Sequence, residues 1–265
     1  MMKRSVLISL TCLLAACGGG ESAQDSAAKQ SQIEPVNLVV NKPVPDNHNA
    51  QAYAIALIGN SHAAGLVPYL QDTIEHYVPE KPVSVEALGF GFTDDLYNNA
   101  GVHGKLREGG WTHLIIQGQK YSQSGTVLYS TEATQQWIAL AKDLGITPIL
   151  FPEHPQRGRT QEAEYIMGIH QGIANKQASC IAPIGLAWDA AIQHMPNVPF
   201  HTADGNHGAP SGLLLSSLIF SEIITAERVD TGPISIIPNT ILGIEQQGAL
   251  SQIASQVLVE QPACD

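Results

Sequence analysis

The chain has 265 residues, with 13 Lys plus Arg against 24 Asp plus Glu and a formal charge of −11. Hydrophobic residues make up 44% and charged residues 14%, which excludes a disordered or fibrous polypeptide. The acidic balance argues against nucleic acid as a partner, since phosphates need clustered Lys and Arg, and against loose attachment to an anionic membrane.

Residues 1–16 read as a secretory signal. Lys3 and Arg4 give it a basic start, and the apolar run 5–14 is too short to span a bilayer. The run ends in Leu14-Ala15-Ala16-Cys17 and three glycines, which resembles a bacterial lipobox. Cys17 is therefore expected to carry a lipid and to begin the mature chain; the alternative is an ordinary signal with a chance cysteine. Gly18 after it, in place of Asp, points to the outer membrane of a cell envelope, with the lipid as the sole membrane contact. Cleavage would remove two basic and no acidic residues, leaving 249 residues at a charge of −13. Residues 17–50, rich in Gly, Ser, Gln, Asn and Pro, are expected to form the lipidated N-terminus and a flexible tether.

Residues 51–265 predict a single domain, with a core over about 52–228 and a C-terminal extension over 229–265. Candidate strands lie at 52–58, 83–88, 112–116, 147–151 and 180–184. Between them come helical patterns. Leu66, Leu70, Ile74 and Tyr77 share one face, and Ala133, Trp137, Leu140 and Leu144 share another that stops at Gly145. A further helix is expected over 161–177, and Pro210 opens a strongly apolar one running to about 228. The tail is weakly helical at 240–259. Strands alternating with helices at this spacing predict an α/β fold, a doubly wound parallel sheet of about five strands flanked by helices. Ligands in such sheets sit beyond the carboxyl ends of the strands. Cys180 and Cys264 could pair in an oxidising periplasm or remain two buried thiols, and their spacing fits no zinc motif.

Gly59-Asn60-Ser61-His62 follows the first strand. A serine at a strand-to-helix turn is exposed and lies near backbone N–H groups, which suits a nucleophile whose attack creates an oxyanion. Helix capping by Asn60 or Ser61 explains the same residues. Near the far end comes Asp204-Gly205-Asn206-His207, ahead of Pro210. An Asp three residues before a His on a loop can orient the imidazole, which can then take a proton from a serine.

Together these blocks resemble the SGNH (GDSL-like) hydrolases over about residues 52–228. Members of that family carry the nucleophile in a Gly-Asp-Ser or Gly-Asn-Ser turn, matched by Ser61, and an Asp-x-x-His with a later Gly, matched by Asp204, His207 and Gly212. The resemblance implies a flavodoxin-like sheet and a Ser61–His207–Asp204 triad that needs no cofactor. It places oxyanion donors at the Ser61 and Gly91 N–H groups, with Gly89 second to Gly91. The family's Gly-x-Asn block is missing: Gln117-Gly118-Gln119 stands there, and the Gln117 amide, then that of Gln119, is expected to replace the Asn. The implied activity is hydrolysis of small acyl esters such as short-chain or O-acetyl groups, with an acylated glycan as one class of substrate. A non-catalytic binding or assembly lipoprotein and an O-acyltransferase on the same fold are the alternatives.

Other candidates carry less. His201, Asp204 and His207 are spaced for a metal, but Asp-Gly-Asn predicts a loop and no third strong ligand group is evident, so none is expected. Glu153-His154-Pro155-Gln156-Arg157 follows the fourth strand and suits substrate contact or plain loop equally. His62 could line the cleft or sit in solvent. Trp111 and His113 are read as core or strand-edge residues.

Overall fold

A computed structural model describes residues 40–232, 237 and 241–264. The signal sequence, Cys17 and the tether up to residue 39 lie outside the described residues. Five strands, β1 (Tyr53–Gly59), β2 (Val83–Phe90), β3 (His113–Ile116), β4 (Thr147–Leu150) and β5 (Cys180–Ile181), form one parallel sheet in the order β2-β1-β3-β4-β5. Eight helices among the described residues flank it: α1 (Leu66–Tyr77), α2 (Thr93–Tyr97), α3 (Ala100–Glu108), α4 (Glu132–Asp143), α5 (Glu162–Ala174), α6 (Ile184–His194), α7 (Pro210–Thr225) and α8 (Ile244–Glu260). This is the expected doubly wound α/β domain. No helix among the described residues is long and apolar enough to cross a membrane.

The inner strands β1, β3 and β4 are largely apolar on both faces because helices cover both. Ile55, Leu57, Ile115 and Ile149 point to one side and pack with Leu66 and Leu70 of α1, Trp188 of α6, Leu214 and Leu218 of α7 and Leu250 of α8. Ala56, Ile58, Leu114, Ile116 and Leu150 point to the other, against Leu96 of α2, Val102 and Leu106 of α3 and Trp137 and Ile138 of α4. The chain leaves β1 for β2 on one side and then crosses to β3 on the other. That crossing opens a crevice at the carboxyl ends of β1 and β3.

Three expectations are corrected. Residues 40–50 are not a tether: they lie against the amino ends of the strands. Asn47 Nδ2 donates to Thr112 O at 2.9 Å, Gly145 O at 3.0 Å and Thr147 Oγ1 at 2.9 Å. Asn41 Oδ1 accepts from Lys142 Nζ at 2.9 Å and from the Ala178 N–H at 2.8 Å. These amides tie together backbone and side-chain groups of the segments that lead into β3, β4 and β5. The strand expected over 180–184 is only two residues long, because Pro183 ends it and α6 starts at Ile184. The helix expected directly after Ser61 begins at Leu66; residues 61–65 form turns, with Ala64 N–H donating to Ser61 O at 3.3 Å. Cys180 and Cys264, left open by their spacing, form a disulfide across 84 residues of chain. Beside it, Ile181 N–H donates to Ala263 O at 2.7 Å.

Candidate active site

The loops after β1, β3 and β4 and the loop before α7 meet at the carboxyl edge of the sheet. Ser61 sits at the head of the turn after β1. Its hydroxyl lies 2.9 Å from His207 Nε2. His207 Nδ1 lies 2.7 Å from Asp204 Oδ2. A carboxylate only accepts, so Nδ1 carries the proton and Nε2 is left to accept from the serine O–H. Such a chain can move a proton from hydroxyl to imidazole and stabilise the imidazolium that results.

The histidine loop builds itself from local bonds. Asp204 Oδ1 accepts from Thr202 Oγ1 at 2.7 Å, from Asn206 N–H at 2.8 Å and from His207 N–H at 3.1 Å. These bonds, led by that from Asn206 and followed by the imidazole, hold the Asp204 carboxyl well below the usual carboxylate range. Gly205 permits the reversal, with φ at +74°. Behind the loop, Arg157 Nη2 donates to Thr202 O at 2.6 Å. Gly212 in α7 is required by packing, since a Cβ there would stand 2.3 Å from the Trp188 ring and 2.7 Å from Phe200 O.

Asn60 and Ser61 divide the two roles that the sequence left open. Asn60 Oδ1 caps the turn by accepting from His62 N–H at 3.0 Å, while the Ser61 hydroxyl faces His207. His62 lines the cleft, its ring stacked on His207 at 5.2 Å between centroids. Burial, and then the neighbouring His207, pushes its pKa down to about 4. His154 lies flat on Trp188 at 3.8 Å, and burial pushes it down to about 3. Both rings are therefore neutral near pH 7 and place no competing positive charge beside His207.

The expected oxyanion donors are not brought together, and three of the four positions are corrected. Gln119 turns away: its Nε2 donates to Lys120 O at 2.8 Å and Ser130 O at 3.0 Å, and its Oε1 accepts from Thr134 at 2.7 Å. Its side chain is buried, and its amide is taken up by these loop carbonyls and Thr134. Gln117 Nε2 donates to Glu153 Oε2 at 2.7 Å. Gly91 N–H extends the β1–β2 ladder by donating to Gly59 O at 2.7 Å. Gly89, second to Gly91, is packed on Val102. Among the described residues only the Ser61 N–H of this set has no hydrogen-bond partner.

His201, the remaining member of the metal-spaced set, is drawn off by Pro155, whose carbonyl lies 2.8 Å from its Nε2. No group of three His, Cys, Asp or Glu side chains among the described residues could hold a metal ion. His113 is fully buried, as expected of a core residue, and Trp111 bonds Lys105 O at the edge. Glu153, which by sequence suits substrate contact or plain loop equally, lies inside the site. Its side chain is 11% exposed at the floor of the cleft, and burial raises its pKa to about 7. A strand end facing the crevice was the only available signal. The cleft itself, about 450 Å³, runs from Asn60 and His62 past Phe92 to Tyr121, Tyr129 and Gln156.

No family model matches this chain, and no curated protein does. Solved structures do. The chain is similar to a DUF4886 family protein from Bacteroides uniformis, with a TM-score of 0.61 and 13% identity over 81% of this chain and 97% of that one. It is also similar to a protein from Slackia heliotrinireducens classed provisionally as an SGNH hydrolase, with a TM-score of 0.51 and 18% identity over 64% and 98%. The domain therefore has the fold of the SGNH hydrolases.

Proposed function

We propose that this protein is a serine ester hydrolase of the SGNH type. The observation that carries the reading is the continuous chain from Ser61 Oγ through both nitrogens of His207 to Asp204. In the first step His207 Nε2 takes the serine proton as Oγ bonds to the ester carbonyl carbon. The Ser61 N–H is the donor left to meet the oxyanion. The intermediate collapses, and the alcohol leaves with the proton from His207. Water, deprotonated by the same nitrogen, then attacks the acyl-enzyme and releases the acid and Ser61. Asp204 orients the ring throughout.

Short acyl groups, O-acetyl among them, are the proposed substrates, carried by a hydrophilic alcohol such as a glycan. Amides, phenols and Lys120 line the cleft, with Phe92 the one purely hydrocarbon side chain, which suits a hydroxylated partner better than a fatty chain. We further propose that Cys17 anchors the protein by lipid in the cell envelope. The Cys180–Cys264 disulfide supports an oxidising compartment of that kind. Hydrolysis of p-nitrophenyl acetate by the wild type and not by Ser61→Ala is the expected result; equal rates would refute the mechanism. Uptake of labelled lipid by the wild type and not by Cys17→Ala is the result expected of the anchor; equal uptake would refute it.

One observation favours a second reading, a binding lipoprotein that no longer turns over: Gly91, Gln117 and Gln119 donate elsewhere. Removing an oxyanion donor costs about 2.7–4 kcal/mol of barrier in related chemistry. Covalent labelling of Ser61 by a fluorophosphonate would exclude it.

A further inference from the structure

The nucleophile turn is held from behind by a carboxylate that belongs to none of the catalytic blocks. Glu153 Oε2 accepts from Gln117 Nε2 at 2.7 Å, and Gln117 Oε1 accepts from the Asn60 N–H at 2.6 Å. Asn60 is joined directly to Ser61. An amide that must donate at one fixed point and accept at another has a single orientation. Glu153 Oε2 faces that nitrogen as an acceptor, whether the carboxyl is ionised or protonated on its other oxygen, so it sets which end of Gln117 faces the turn. Gly59 makes room, since a Cβ there would stand 2.5 Å from Gln117 Oε1. The far side is closed as well. Glu162 Oε2 accepts from Gln156 N–H at 2.7 Å and its Oε1 accepts from Tyr121 Oη at 3.3 Å, which packs a second acidic network against the first.

We infer that Glu153 is a positioning residue that acts through Gln117 on the Asn60–Ser61 peptide, and that Gln117 is a strut for the nucleophile and not an oxyanion donor. The inference rests on the reading of Ser61 as nucleophile. Its physical basis is alignment: Ser61 Oγ must meet His207 Nε2, and a misplacement of about 1 Å can cost about 100-fold in rate. With Glu153 removed, the amide of Gln117 is free to rotate and present its NH2 to the Asn60 N–H, two donors facing each other in a buried space.

The test compares wild type, Glu153→Ala, Glu153→Gln and Gln117→Ala. The readouts are kcat and KM on p-nitrophenyl acetate, the rate of fluorophosphonate labelling at Ser61, and hydrogen exchange of the Asn60 amide. Glu153→Ala and Gln117→Ala should each lower kcat and the labelling rate by about 10–100-fold with KM within about twofold, and speed Asn60 exchange by about tenfold or more. Glu153→Gln keeps an oxygen for Gln117 Nε2 and should stay within about threefold of wild type in every readout. Wild-type kcat, labelling and exchange in Glu153→Ala would overturn the inference. So would a Glu153→Gln protein as impaired as Glu153→Ala. If the wild type neither hydrolyses nor labels, the reading of Ser61 fails, and the Asn60 exchange rates alone decide whether Glu153 holds the turn.

Discussion

The two halves of the site are held in opposite ways. The Ser61 turn leans on partners far away in sequence, Gln117 and through it Glu153, which lie largely buried at the floor of the cleft. The Asp204 carboxylate that orients His207 is held by residues within three positions of it, with the His207 and Asp204 side chains 37% and 51% exposed. One half is fixed by burial, where each polar group must find a partner. The other is fixed by turn geometry in contact with water, where single bonds contribute little to overall stability. Substitutions in the open half should therefore change chemistry and leave folding intact, while those in the buried half should change both.

The largest effect tests the open side first. His207→Ala should lower ester hydrolysis by about 10³-fold or more, with thermal unfolding within about 1 °C of wild type. A large drop in melting temperature would break the contrast. Asp204→Asn should cost about 10²–10⁴-fold in kcat, again with little change in melting. Because the folded Asp204 carboxyl is held below its unfolded range, its contribution is present above about pH 4 and is lost only as pH falls further. A decline in activity between pH 7 and 5 would thus belong to another group.

Stability effects come next. Reduction of Cys180–Cys264 should lower unfolding stability by about 2–4 kcal/mol, read by denaturant titration with and without reductant. Gly212→Ala forces a methyl against Trp188 and should cost about 1–3 kcal/mol, whereas Gly205→Ala in the open loop meets its positive φ and a looser contact with Arg157 Cβ at 3.3 Å and should cost about 1 kcal/mol. Equal costs at the two glycines would show that close packing adds nothing to the cost of a Cβ beside the histidine loop. The smallest effect is a slope. The folded state keeps the Glu153 proton to about pH 7, the unfolded chain only to about 4.5, so this group lowers stability as pH rises between those values. Subtracting Glu153→Gln from wild type across that window should give a fall of at most about 1.4 kcal/mol per pH unit, and a flat difference would show Glu153 to be ionised throughout.

The same contrast governs what could be read from sequence. β1, β3 and β4 announce themselves as short apolar runs because both faces are covered. Asp204, Gly205 and His207 are contiguous, so their loop is written in one place. Glu153 is not marked by its neighbours; its burial comes from the packing of β4 beside β3, which no local pattern encodes. Gln117 and Gln119 look interchangeable as residues, yet one is drawn to a carboxylate and the other to Ser130 O. Asn41 and Asn47 read as solvent-loving linker, although amides are also what exposed strand ends need. The two-residue β5 left too few positions for α6 to be separated from it.

The seam formed by Asn41 and Asn47 also gives the domain a polarity. It crosses the amino ends of β3 to β5, while Ser61 and His207 stand at the carboxyl ends of the same sheet. Val40, where the first 39 residues join, is consequently at the opposite pole from the cleft. A force applied to the domain at Val40 would therefore load the asparagine seam and not the catalytic loops.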